Sequence, residues 1–471
     1  MSILDIDIEN YSQILISKKE NKEQYGEINT PFSLISKMLD LFPEEVFNDP
    51  QKKWLDPGTG QGYFMITLFF RLFQGLSQVF IDEEERKQHI IQNMLYMCEI
   101  NPEHIGHLWS VFGEKANITV GDYIQDMSLN EYSFDAIVGN PPYHCKGVKK
   151  VPTNFIKDKK QDGTTAWIEF VDHSIHLLKP DGYLCFITPS IWMKPDRARR
   201  KWLPHLYNYF LQYRIHKINC MTNTETNRVF KKQAQTPTCW FLLQKTPTKN
   251  QSISLYDNDS KSYIDFPVSV IPQLSIPLSG ASLISKLIPF VEKAGSIKVF
   301  KTNMPPPHTK TSHFMDDTYK YSNISTCILD SDKITPKLMF SYTNVKQAYY
   351  GVPKLVLAHK MYGFPFIDTS GNYGISTRDN YVIIDKTQEE FTKLHAFLST
   401  NFARYVFEAG RYRMKYLEKH AFQWLPDITH PLFADFPSVI TDDTISNYFG
   451  LSSVERKAIE GLHKKKYRML K

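Results

Sequence analysis

The chain has 471 residues, 42% hydrophobic and 23% charged, with a formal net charge of +6 and a pI near 8.7. That length allows two or three domains, and the composition is that of a soluble globular protein rather than a disordered one. No apolar run is long enough to span a bilayer and the acidic start MSILDIDIENY lacks a basic leader, so neither a transmembrane segment nor a signal peptide is expected and the location is read as intracellular.

Strand-like and helix-like segments alternate from about residue 30 to 245, which argues for a doubly wound α/β sheet. Thr30-Pro31 reads as a helix start, a hydroxyl cap followed by proline, with Phe32, Ile35, Leu39 and Phe42 at helical spacing. Trp54-Leu55 then leads into Asp56-Pro57-Gly58-Thr59-Gly60-Gln61-Gly62 and an apolar helix from Phe64 to Phe73. Glycines let the backbone pass close to a ligand, but GxGxG alone is a weak signal and the GK[ST] of a phosphate loop is absent. The next strand, Leu95 to Cys98, ends at Glu99. An acid there can take both hydroxyls of a ribose, although a solvated strand-end carboxylate reads the same way in isolation. A third strand, Ile118 to Val120, ends in Gly121-Asp122.

The fourth strand, Ala136 to Val138, ends in Gly139 and then Asn140-Pro141-Pro142-Tyr143. This turn suits chemistry on a planar NH2 group. The Asn side-chain oxygen and a neighbouring backbone carbonyl can each accept one N–H. The prolines fix the backbone so that the acceptors converge, and the tyrosine can stack on the ring that bears the amine. Four successive strands thus carry polar residues at their carboxyl ends, where open α/β sheets bind ligands.

A lysine-rich stretch follows (Lys146, Lys149, Lys150, Lys157, Lys159, Lys160), read as a mobile loop beside the site or a solvated linker. Then come a helix from Trp167 to Leu178, the turn Lys179-Pro180-Asp181-Gly182, a strand from Tyr183 to Ile187, and a basic run (Lys194, Arg197, Arg199, Arg200, Lys201). Strands at Ile215–Ile218 and Thr238–Leu243 close the first half. From about residue 250 short strands and turns dominate, including Gly363-Phe364-Pro365-Phe366 and Gly371-Asn372-Tyr373-Gly374, with a strand at Tyr381–Ile384 and a helix over Phe391–Phe407. Arg404, Arg411, Tyr412, Arg413, Lys415 and Tyr416 mix basic and aromatic residues, as a DNA-facing surface or a solvated helix face would. The end, Lys464-Lys465-Lys466-Tyr467-Arg468, reads as a basic tail. Six scattered cysteines (Cys98, Cys145, Cys185, Cys220, Cys239, Cys327) without CxxC fit reduced core thiols, and no metal is expected.

These motifs, in this order, resemble the gamma-ordered DNA adenine-N6 methyltransferases that use S-adenosylmethionine, including the Eco57I-like and TaqI-like modification enzymes. The resemblance runs motif by motif over residues 25–245 and more loosely to about 430. It implies a Rossmann-like methyltransferase domain with a mixed seven-stranded sheet at 1–248, an α+β target-recognition domain at 249–440, and the basic tail at 441–471. By position, Thr30 and Pro31 would contact the methionine end of the cofactor, and Asp56, Gly58 and Gly60 would form its loop. Glu99 would hold the ribose, Asp122 the cofactor's adenine amine, and Phe170 would lie against that adenine. Asn140, Pro141, Pro142 and Tyr143 look like the catalytic set, and Phe230, in Val229-Phe230-Lys231-Lys232, looks like the second aromatic contact to the target base. Gly58-Thr59 stands where the family usually has Ala-Cys or similar, a mild departure.

The implied reaction is methyl transfer to the N6 amine of an adenine flipped out of duplex DNA, held by stacking on the order of 1–3 kcal/mol per base. The implied role is modification within a restriction-modification system by a monomer. Some two dozen residues before Gly26 are too few for a fused nuclease, so a cognate endonuclease would be a separate chain. The NPPY turn also serves enzymes that methylate glutamine amides, but those are shorter, and some 220 further residues with basic clusters favour nucleic acid. RNA adenine is the nearer rival. A catalytically dead DNA-binding subunit fits poorly with the intact set Thr30, Asp56, Glu99, Asp122, Asn140 and Tyr143.

Overall fold

The computed structural model of the chain describes residues 3–7, 18–126, 128–146, 164–195, 205–249, 251–329, 336–359, 365–378, 380–412 and 417–464. Lys149, Lys150, Lys157, Lys159, Lys160, Arg197, Arg199, Arg200, Lys201, Gly363, Phe364, Arg413, Lys415, Tyr416, Lys465, Lys466, Tyr467 and Arg468 lie outside the described residues. The chain divides into two compact units, residues 1–192 with 196–254, and residues 193–195 with 255–471.

The first unit is built on strands β1 (Trp54–Asp56), β2 (Leu95–Glu99), β3 (Asn117–Val120), β4 (Phe134–Gly139), β5 (Leu178–Pro189), β6 (Tyr213–Met221) and β7 (Thr238–Pro247), in the order β6-β7-β5-β4-β1-β2-β3. From β5 to β3 they run parallel, and β7 lies antiparallel between β5 and β6. The alternating pattern predicts a doubly wound sheet, and these seven strands have the mixed, Rossmann-like arrangement that the resemblance implies, within a sheet that counts nine strands rather than seven. Strands β1 and β2 are buried along their whole length, as parallel strands covered on both faces must be. The core joins Trp54, Phe69, Leu95, Val138 and Cys185 to helix residues such as Ile35, Met65 and Leu108.

Helices α1 (Lys19–Tyr25), α2 (Phe32–Leu39), α3 (Tyr63–Gly75), α4 (Glu83–His89), α5 (Pro102–Phe112), α6 (Trp167–Leu177), α7 (Leu206–Leu211) and α8 (Asn223–Val229) belong to this unit. Two local expectations are corrected. Helix α2 starts one residue later than read: Pro31 is its extended cap residue, and the Thr30 hydroxyl is engaged with Asn140 rather than with the helix. The Lys179–Gly182 turn is absorbed into β5 as an irregularity opposite Phe134 and Ala136, with Asp181 in the left-handed region (φ 60°).

The second unit is α+β. It starts with strands β8 (Ile253–Asp257) and β9 (Ser262–Phe266) and helix α9 (Ala281–Ala294). Two four-stranded sheets follow. One orders β10 (Phe300–Lys301), β17 (Asn380–Ile383), β14 (Lys354–Ala358) and β15 (Phe366–Asp368). The other orders β11 (Thr311–Ser312), β13 (Pro336–Thr343), β12 (Tyr321–Leu329) and β16 (Gly374–Ile375). They share a small core of Ile324, Cys327, Val356, Ile375 and Val382.

The single helix read over Phe391–Phe407 is two, α10 (Gln388–Leu398) and α11 (Asn401–Ala409), because Thr400 turns extended and caps the second through the Ala403 amide. Tyr412 is 1% exposed and donates to the Ile276 carbonyl, while Arg411 pairs with Glu408 at 2.8 Å, so these residues do not form the open surface read from the sequence. Nor is 441–464 a tail. Helices α12 (Asp442–Tyr448) and α13 (Ser453–Glu460) both have N-terminal capping boxes, and Glu455 is buried against Lys286 and Ser282. None of the described cysteines is in a disulfide, and no described helix is long and apolar enough to cross a membrane.

Candidate active site

The order of the parallel strands lines up four carboxyl ends: β4 delivers Asn140, β1 Asp56, β2 Glu99, and β3 leads into Asp122. Short contacts tie them together. A side chain at Gly139 would meet the Asp56 carboxylate at 2.9 Å, so glycine there lets the two strand ends close up. In the loop after β1, Thr59 N–H donates to the Cys98 carbonyl at 3.0 Å and Gly60 N–H to Glu99 Oε2 at 2.6 Å. Gly60 and Gly62 have φ of 56° and 89°, conformations that glycine adopts without strain. Phe170 of α6 lies over Gly58, 3.8 Å from where a β-carbon would stand, and packs on Tyr123 at 5.0 Å.

The strand ends here are acidic, and two of the carboxylates, Asp56 and Glu99, are buried. Asp56 is 1% exposed; its Oδ1 accepts from the Gly58 amide at 3.2 Å, and its Oδ2 is buried without a partner. Burial pushes its carboxyl up to about 8. Glu99 is also raised by burial, although the Asn101 and Gly60 amides hold its two oxygens and oppose the shift. Behind it, Glu27 pairs with His104 at 2.9 Å. Asp122 is half-buried and accepts from the Ile124 amide at 3.0 Å.

The NPPY turn is held by the segment just before α2. Both N–H groups of the Asn140 amide are used, toward the Ile28 carbonyl and the Thr30 hydroxyl at 3.1 Å each. A carbonyl can only accept, so the amide nitrogen must face Ile28 and Oδ1 must face away. Oδ1 is buried without a hydrogen-bond partner. Gly26, φ 73° at the end of α1, passes so close to the His144 carbonyl that a β-carbon would sit 2.2 Å from it. The Tyr143 carbonyl accepts from the Ala166 amide at 3.2 Å.

Asn140, Pro141 and Tyr143 share a small hollow with Gly26, Ile28, Phe230 and Ala234. The fold therefore brings Phe230, at the end of α8, against the turn across some ninety residues of sequence. The Tyr143 hydroxyl is buried without a partner, and burial holds it well above the ordinary phenol range, so the ring is neutral. The Lys22 ammonium donates to the carbonyl of Gln233, the residue before Ala234. Gly26, Ile28, Glu27 and His104 were not singled out from sequence. The run Gly26–Pro31 was the available signal, but only Thr30 and Pro31 were read from it.

Residues 67–230 match the Eco57I restriction-modification methylase family. A 73-residue segment is 42% identical to an uncharacterized adenine-specific methylase of Mycoplasma pneumoniae, covering 15% of this chain and 17% of that protein. A 151-residue segment is 30% identical to the type II restriction enzyme and methyltransferase RM.Eco57I of Escherichia coli, covering 30% of this chain and 14% of that one. The matched segments thus span less than a fifth of either relative. Among solved structures, the type IIL restriction-modification enzyme MmeI in complex with DNA overlaps 97% of this chain and 78% of its own, with 13% identity and a TM-score of 0.48. The type I restriction enzyme EcoKI M protein overlaps 50% of this chain and 49% of its own, with 15% identity and a TM-score of 0.34.

Proposed function

We propose that this chain, whose residues 67–230 are of the Eco57I methylase type, transfers a methyl group from S-adenosylmethionine to the N6 amine of adenine in duplex DNA. The observation that carries the reading is the orphaned Oδ1 of Asn140, left as the one unused group of an amide fixed by two hydrogen bonds, on a residue that lines a hollow together with two aromatic residues.

The strand ends suit the cofactor. It is cationic, and Asp56 holds a buried carboxylate oxygen without a partner. A neighbouring cation favours the charged form that burial disfavours. Glu99 would take the ribose, Asp122 the adenine amine with Phe170 against the ring, Gly58 and Gly60 the close backbone approach, and Thr30 with Pro31 the methionine end. When bound, S-adenosylmethionine supplies an electrophilic methyl group on sulfur.

The chain's own residues do the rest. An adenine must leave the stack to reach this site, and the small hollow must widen for Tyr143 and Phe230 to sandwich the ring. Asn140 Oδ1 and the Pro141 carbonyl would accept its two N6 hydrogens, drawing the nitrogen lone pair out of conjugation with the ring. Because Asn140 is already oriented, little reorganisation remains for the reaction itself. We further propose a monomer, since one flipped base needs one site.

The test is product analysis. The purified chain is incubated with isotopically labelled S-adenosylmethionine and, separately, unmethylated duplex DNA, RNA and protein lysate. Labelled N6-methyladenine in DNA alone is expected. Label in RNA or in glutamine, with none in DNA, overturns the substrate assignment.

A further inference from the structure

The second unit carries a loop, residues 313–320, whose tip presents two adjacent large apolar side chains to solvent: Phe314, 81% exposed, and Met315, 65% exposed. Single exposed apolar residues need no explanation; a contiguous pair on a shaped tip does. The tip is shaped. Strand β11 before it pairs with β13 at Thr311↔Thr343 and Ser312↔Tyr342, and β12 after it pairs with the same two residues through Tyr321 and Ser322. Both ends of the loop are therefore pinned at one point. Within it, Asp316 accepts from the amides of Thr318 and Tyr319, both at 2.7 Å, and the Phe314 amide donates to the Ser312 hydroxyl at 3.0 Å.

The base of the loop is ringed by exposed lysines. Lys310 is joined to Asn344 through its backbone, Lys320 precedes Tyr321, and the Lys346 ammonium lies 5.9 Å and 5.6 Å from the rings of Tyr321 and Tyr350. None of these three makes an ion pair among the described residues. Of the loop's two acids, Asp316 is turned into its own turn, leaving Asp317. Protein-binding patches put aromatic and aliphatic groups at the centre but are depleted in lysine. An apolar point surrounded by unpaired ammonium groups matches a stack of bases between two phosphate rails.

We propose that Phe314 and Met315 form a wedge that enters a base step of duplex DNA, with Lys310, Lys320 and Lys346 on the flanking phosphates. The inference rests on the DNA-methylating reading above and adds a second point at which the duplex is unstacked, apart from the flipped adenine. Wedges of this kind partly separate a base step and kink the helix, and the phosphate contacts make binding salt-dependent.

The site methylated by the wild-type chain is mapped by sequencing, and 2-aminopurine is scanned through a duplex carrying it. Fluorescence should rise at the target position and at a second step. The double variant F314A/M315A should lose the second signal, keep the first, and bind about tenfold more weakly, the order of one lost aromatic stack. Lys310→Ala, Lys320→Ala and Lys346→Ala should each lower the slope of log affinity against log salt by roughly 0.9. These residues are exposed, and unchanged melting of the variants confirms that they fold. A single bright position in the wild type, or unchanged affinity in F314A/M315A, overturns the wedge while leaving the methylation reading intact; the tip would then serve another partner, such as a protein. If the wild type methylates no DNA, both readings fall together.

Discussion

Asn140 is an amide with a single remaining task. Its N–H groups are committed to Ile28 and Thr30, so only the buried Oδ1 is left to accept a hydrogen bond. Asn140→Ala should lower kcat by about 10²–10³-fold, the usual loss on removing one preoriented polar group, while calorimetric titration still shows cofactor binding. Loss of both would sink the division of roles between the strand ends. Asp56 makes a pH-dependent prediction. Its carboxyl is raised to about 8 in the folded state, so between pH 4 and 8 the folded chain holds a proton that the unfolded chain has released. Its contribution to stability therefore falls as pH rises through that window and levels off above it. Asp56→Asn stays neutral throughout, so melting curves should show the variant more stable than wild type at pH 8, with the gap closing toward pH 5. At this scale the motif letters were legible, because Asn, two prolines and an aromatic carry their chemistry in their types. The partners of Asn140 were not, because Ile28 contributes a backbone carbonyl and lies 112 residues away.

Elements place these residues, and their ends matter more than their middles. Gly26 closes α1 with a positive φ and lies against the His144 carbonyl just after the NPPY turn. Gly26→Ala adds both a clash and a backbone penalty. It should cost about 1–3 kcal/mol in urea unfolding and lower kcat/KM, because the turn cannot keep its place. Unchanged kcat/KM would show that the turn is held by other contacts. Thr400 separates α10 from α11, and Thr400→Ala should cost about 1 kcal/mol. Element type was read well where periodicity ran long, as from Trp54 to Phe73. The break at Ser399-Thr400 was missed because two polar residues scarcely disturb an apolar repeat. Helices α12 and α13 were hidden behind their charge, although Thr441 and Ser452 were available as caps.

At the scale of the molecule, the two units are stabilised differently. The first has a large apolar core threaded by parallel strands. The second has a smaller sheet core and, inside β14, a fully buried lysine: Lys354 bonds Asp368 and the carbonyls of Tyr349 and Val352, and burial lowers its pKa. Removing one partner leaves the other charge buried, so Lys354→Ala should cost about 3–5 kcal/mol, seen by calorimetry as an earlier transition. A shift within error would mean that Asp368 is satisfied by the Asn372 and Tyr373 amides alone. The short strands and turns of this half were legible in the residues, and its α+β class came from the resemblance. Its buried pair was not, since one lysine at the start of an apolar strand reads as an edge charge until the fold closes over it.

The bond between Asn140 and Pro141 also bears on how the protein ages. Asparagine commonly deamidates when the following backbone nitrogen, stripped of its proton, attacks the side-chain amide and closes a succinimide. Proline has no such N–H, so that route is shut at Asn140, whose conversion to aspartate would set a negative charge beside the Ile28 carbonyl and remove two donated hydrogen bonds. The residue that stiffens the turn also protects its neighbour from chemical decay.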